Sequence, residues 1–120
     1  MGQAMSQGVL QAKLWYAQRI SAMVLGLCVA MHLVIIFYAI RGGLSAQEIL
    51  GRTQDNILFA IFYEVFVLAC FVHAPIGVAN ILQESLPKSG LSKPLAWILA
   101  VLILIFGTTA VIGVFTGGQI

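Results

Sequence analysis

Three uninterrupted apolar runs, Ile20 to Ile40, Ile57 to Leu82 and Leu95 to Phe115, limit what this chain can fold into. Each is long enough to cross a bilayer as an α-helix, which takes about 20 residues. Strands that cross a membrane are shorter and alternate apolar with polar residues, and these runs do neither. Inside hydrocarbon the backbone has to satisfy its own hydrogen bonds, so helices are what the runs allow. The expectation is an all-α membrane protein, one domain over 1–120, with transmembrane helices near 16–40, 57–83 and 95–116. Only 8% of the residues are charged and 61% are hydrophobic, against about a quarter charged in soluble domains.

The segment before the first run, MGQAMSQGVLQAKLWYAQR, is polar and glutamine-rich, without the short apolar stretch of a signal peptide. The loop RGGLSAQEILGRTQDN joins the first two helices. Its glycine pair closes the first helix, and SAQEIL is expected to form a short amphipathic turn on the surface. Proline, serine and glycine in SLPKSGLSKP mark the second break. Both loops are short, so consecutive helices are antiparallel neighbours. One side then carries Lys13, Arg19, Lys88 and Lys93, the other Arg41 and Arg52. The positive-inside tendency puts the N-terminus in the cytoplasm, with a bacterial inner membrane as the expected location. Trp15 and Tyr16 would mark the inner interface and Tyr38 the outer one. No nucleic-acid partner is expected.

Cys28 and Cys70 fall inside spans, and no CxxC or CxxCH occurs. They read as small packing residues, which argues against covalent haem attachment. The third helix has no ionisable group, and Ala96, Ala100 and Gly107 fall on one side of it as a seam for close packing. It reads as structural, leaving the chemistry to the first two helices.

Those two helices carry His32 and His73, and ionisable residues inside a membrane mark functional positions by default. Steps of three and four residues from His73 give Phe66, Ala69, Cys70, Gly77, Asn80 and Glu84. The face is nearly bare beside the imidazole, aromatic farther out and polar at the cytoplasmic end. A flat macrocycle held through its iron needs that surface. Pro75 leaves the Phe71 carbonyl without its helical donor. His32 repeats the pattern with Gln18, Ser21, Leu25 and Cys28. The competing reading is a histidine bonded to a neighbouring carbonyl or hydroxyl. Two histidines in such settings favour b-type haem, and zinc would want more ligands.

Depth leaves the arrangement open. His32 lies about 13 Å from Arg41 at the outer end of its helix, and His73 about 25 Å from Asn56. Measured from Arg19 and Glu84 at the inner ends, the two differ by only about 3 Å. Both counts put His32 nearer the outer face, and the two serve either two stacked haems or, if the levels converge, one haem gripped between them.

HAPIGVANILQES resembles the second-helix signature of the membrane-anchor subunits of succinate dehydrogenase and fumarate reductase, in which glycine follows the ligating histidine by four residues and an acidic residue by about eleven. His73, Gly77 and Glu84 stand at those spacings. WYAQRISAMVLG resembles the first-helix entry of the same family, with Gln18, Arg19 and Ser21 at the matching places. Gln18 replaces a common histidine, and Ser85 stands where one of the two anchor types has a tyrosine, so which anchor this is stays open. The resemblance implies a chain that holds a flavoprotein and an iron–sulfur subunit against the membrane, paired with a second membrane anchor. Succinate would be oxidised in the flavoprotein and not here, with electrons passing through iron–sulfur centres to quinone, near haem b. His73 would be an axial haem ligand. Arg19, Ser21, Gln18, Asn80 and Glu84 would lie in the quinone or propionate region. His32, thirteen residues after Arg19, is similar to the first-helix ligand of the two-haem members.

Glu64 lies nine residues before His73, facing roughly the opposite side of its helix, and about 12 Å in from Asn56. It is either a bonded packing carboxyl or a proton carrier near an outer site. Three functions therefore stand open: the succinate or fumarate anchor, the cytochrome b anchor of another membrane dehydrogenase, and a structural membrane subunit without a cofactor.

Overall fold

The computed structural model describes residues 2–119, which form four helices in the order α1 (Gly2–Gly42), α2 (Ala46–Thr53), α3 (Ile57–Ser85) and α4 (Ser92–Thr116). Three of them, α1, α3 and α4, are long and apolar enough to cross a membrane. The chain is all-helical among the described residues, and its shape is elongated, 58 × 26 × 25 Å.

α1 is longer than the apolar run requires, because the polar lead-in continues the helix back to Gly2. Glutamine, alanine, methionine, leucine and lysine are good helix formers, and no proline interrupts them. Leu14 is level with Asn80 and Lys93, where the three form one groove wall. The turns before Leu10 therefore run about 13 Å past the inner end of α3.

The surface turn expected at SAQEIL is a complete eight-residue helix, α2. Its start is a reciprocal cap. Ser45 Oγ accepts from the Glu48 N–H at 3.2 Å, and the Glu48 carboxylate accepts from the Ser45 N–H at 3.0 Å. The Ser45 hydroxyl also donates to that carboxylate at 2.8 Å, and this bond, with the one from the Ser45 N–H, holds the exposed Glu48 carboxyl below the usual carboxylate range. Arg52 donates to the Gly43 carbonyl at 2.7 Å, folding the loop back on the end of α1. Thr53 Oγ1 donates to the Val114 carbonyl at 3.1 Å, and the Asp55 N–H to Phe115 at 2.9 Å. The outer loop is thereby stitched to the end of α4. Asp55 takes φ +57° to make that turn, a conformation its short polar side chain tolerates.

α3 is the central helix, packed extensively against α4 and against α1. It runs helical straight through Pro75. Most buried positions are small: Ser21, Cys28 and Ala39 on α1, Thr53 on α2, Ala69 and Pro75 on α3, Ala100 and Val111 on α4. Small side chains let backbones approach closely, which is how helices associate in a medium as apolar as their own leucines. The seam expected on the third span is present, with Ala100 buried and Gly107 set directly against Val67. Larger apolar residues face outward, Leu27 and Leu58 each 76% exposed. Burial is confined to these few positions along the seams, and no large side chain is fully buried among the described residues.

Candidate functional site

His73 meets α1 across the tightest part of its seam. Its Nδ1 stands 3.4 Å from Ser21 Oγ and 3.4 Å from the Gln18 carbonyl oxygen. Ser21 is 6% exposed, and its hydroxyl donates to that same carbonyl at 3.0 Å. One turn further, Gly77 makes room for the Gln18 amide, because a β-carbon there would lie 3.3 Å from Gln18 Nε2. Gln18 Oε1 is buried and has no hydrogen-bond partner among the described residues. The small residues flanking His73 therefore serve first to bring α1 close. The polar atoms of Gln18 and Ser21 gather around the ring.

His32 sits in a different environment. Its Nδ1 lies 3.4 Å from the Tyr63 hydroxyl. The Tyr63 and Phe66 rings meet the imidazole edge to face, with centroids 5.7 and 5.8 Å away. Beside it opens an apolar groove of about 660 Å³ between the helices, lined among others by His32, Phe66, Cys70, Ala74 and Gly107. That volume falls within the roughly 300–1,000 Å³ of small-molecule and cofactor sites. His73 does not line this groove.

These contacts fix the separation in depth that counting from helix ends left open. His32 faces Tyr63 and Phe66 on α3, whereas His73 faces Gln18 and Ser21 on α1. Seven residues of α3 separate His73 from Phe66, and eleven of α1 separate His32 from Ser21. The imidazoles are thus about 10 to 17 Å apart along the bundle, His32 toward the outer end. Imidazole–metal bonds are about 2 Å long, so two axial imidazoles on one ion stand about 4 Å apart. A single iron cannot take both rings.

The remaining candidates disperse. Arg19 is exposed and lies over Trp15, its guanidinium carbon 5.1 Å from the ring centroid, on a side of α1 turned away from His73. Asn80, also exposed, lines an inner groove of about 350 Å³ with Pro75, Lys93, Ala96 and Trp97. Glu84 is exposed near the inner end of α3. Glu64 accepts a hydrogen bond from Thr108 of α4 at 2.9 Å. Reading the third span as purely structural missed that contact. Its signal was the Thr108–Thr109 pair in an otherwise apolar stretch. Tyr63 was missed too, since a tyrosine within a span reads as ordinary aromatic packing.

No curated protein and no solved structure matches the chain. Residues 3–112 match the profile of a family described as the succinate dehydrogenase/fumarate reductase transmembrane subunit. The match takes in both histidines, the whole second span and all but the ends of the other two, and the chain belongs to that family, which implies a complex with the other subunits of succinate dehydrogenase or fumarate reductase.

Proposed function

We propose that this chain is a haem b-binding anchor of a succinate:quinone oxidoreductase, passing electrons between iron–sulfur centres and membrane quinone, with the dicarboxylate chemistry on another subunit. The observation that carries this reading is His73 in a family member, its Nδ1 occupied by α1 and its flanks small. The donor set suits haem. In both histidines Nδ1 has a neighbour within the bundle, and Nε2 has no hydrogen-bond partner among the described residues. An imidazole tied at one nitrogen and free at the other is how proteins present histidine to a metal.

Haem b, when bound, supplies a one-electron carrier. This chain's residues supply its place: His73 as the inner ligand and His32, beside the larger groove, as the outer one. Gln18 and Ser21 provide polar atoms on the inner side of His73. Arg19, held over Trp15 at the inner surface, presents a planar donor suited to a propionate or a quinone oxygen. Asn80 and Glu84 add polar groups at the same end of the bundle. The exposed apolar faces call for a second anchor, which would also complete the enclosure of each haem. The basic end, with Lys13, Lys88 and Lys93, would face the cytoplasm and the iron–sulfur and flavoprotein subunits.

The purified complex is expected to show a b-type reduced-minus-oxidised spectrum and to retain a subunit with covalently bound flavin. A b-type spectrum without that flavoprotein would favour the anchor of another dehydrogenase. Absence of the spectrum would favour a structural subunit.

Glu64, bonded to Thr108 in the outer half of the span, is proposed as a proton carrier for quinone chemistry there. Glu64→Gln keeps an acceptor for the Thr108 hydroxyl but exchanges no proton. Quinone-linked turnover should fall by about 100-fold, the lower end of what general acid–base groups contribute, with haem content unchanged. Unchanged turnover would reduce Glu64 to a clamp between α3 and α4.

A further inference from the structure

The hydrogen bonds around His73 determine which of its nitrogens carries the proton. Ser21 Oγ uses its hydrogen to donate to the Gln18 carbonyl at 3.0 Å. What it offers to His73 is therefore a lone pair. The Gln18 carbonyl oxygen, 3.4 Å from the same Nδ1, is also an acceptor. Two acceptors facing one ring nitrogen leave it a single compatible role, as an N–H donor shared between them. Nε2 then holds the free electron pair.

We propose that Ser21 is a positioning residue for His73, fixing the Nδ1–H tautomer and the ring plane so that Nε2 is the nitrogen presented to haem iron. The inference rests on the haem reading above. Ser21 suits the task because it is buried at 6% exposure on the face of α1 that meets α3. Its hydroxyl is oriented by its own helix, through a carbonyl three residues back. Gly77 completes the arrangement by letting Gln18, which supplies the second acceptor, lie against α3. An accepted hydrogen bond also draws the Nδ1 proton away from the ring. That makes Nε2 more electron-rich and favours the more positively charged, oxidised iron. His32 has no such arrangement, because the Tyr63 hydroxyl can either donate or accept and leaves both tautomers open.

The test compares Ser21→Ala and Ser21→Thr in the intact membrane complex, reading haem content and the midpoint potential of each b-type centre. Ser21→Ala should retain its haem, since His73 is still present. The potential of the inner centre should rise by the roughly three- to tenfold change in oxidised-to-reduced ratio that one hydrogen bond commands. At 59 mV per tenfold for one electron, this is about 30 to 60 mV. Ser21→Thr keeps the hydroxyl and should return the potential to the wild-type value. Haem-replete Ser21→Ala with a wild-type potential overturns the proposal. If that variant does not assemble, the unsubstituted complex decides. With ¹⁵N-labelled histidine, hyperfine spectra of its oxidised inner haem should show an exchangeable proton on the remote nitrogen, assigned as Nδ1, and iron on Nε2. Iron on Nδ1, or an unprotonated Nδ1, overturns it. Failure of the haem reading itself looks different: His73→Ala would then leave haem content and spectrum untouched.

Discussion

In the purified complex, His73→Ala is expected to remove the inner haem while leaving the outer one, and His32→Ala to do the reverse. The argument is geometric. The two imidazoles lie on different levels of the bundle, meet different partners, and only His32 opens onto the larger groove. Substitutions more than about 7–10 Å apart with no shared partner act independently. Each variant should therefore lose about half of the haem per chain, and the double variant all of it. The difference spectra of the two single variants should sum to that of the wild type. Pyridine haemochrome assay against chain concentration reads the ratio directly. Complete loss of haem in either single variant would mean that both rings serve one site, contradicting the separation argued above. Full retention in both would mean that the histidines are held only by their protein neighbours. In that case the Ser21 and Tyr63 contacts would be their whole function.

Much of this is legible in the sequence, and the limits have physical causes. The spans follow from the length of the apolar runs, because hydrocarbon leaves the backbone few alternatives. The faces of α1 and α3 were also readable. Gln18, Ser21 and Cys28 recur at steps of three and four from His32, and the structure buries Ser21 and Cys28 against α3. Which histidine lies nearer the outer face was readable, but the separation between them was not. It depends on how far α1 slides along α3, and neither run has an end sharp enough to register the other. That α1 continues back to Gly2 shows the difficulty. Small flanking residues around His73 were ambiguous for a related reason. Ala69, Cys70 and Gly77 suit a macrocycle, but they suit a neighbouring helix equally well, and α1 occupies part of that trough. Arg19 illustrates a third limit. Adjacent residues on a helix differ by about 100° in direction, so Gln18 faces His73 while Arg19 turns outward to Trp15. A motif of consecutive residues does not place them in one site. Thr108 was invisible as a partner because its role depends on α3 lying alongside, which no pattern within α4 encodes.

The α3–α4 seam yields the largest expected effect on stability. A β-carbon on Gly107 would stand 2.6 Å from Val67 Cγ1 and 2.8 Å from Cγ2. Val67 cannot step aside easily. Both its methyl groups face the glycine, and a β-branched side chain in a helix has one strongly preferred rotamer. Gly107→Ala should therefore push α4 away from α3 instead of being absorbed locally, at a cost of about 1–3 kcal/mol for an overpacked contact. The displacement would also stretch the bond from Thr108, the next residue, to Glu64, which is 2.9 Å long in the native seam. The thermal midpoint of the detergent-solubilised complex should fall accordingly. Gly113→Ala is the control on the same helix, since nothing lies within 4 Å of the added carbon. It should be neutral or slightly stabilising, as alanine is the better helix former by about 1 kcal/mol. Val67→Ala removes both obstructing methyls, so combining it with Gly107→Ala should recover most of the loss. The pair should show an interaction energy of about 0.5–3 kcal/mol in a double-mutant cycle. Additive costs would mean that the two helices do not meet at Gly107. The Glu64–Thr108 bond would then lose its structural basis, and with it the proton-carrier role proposed for Glu64.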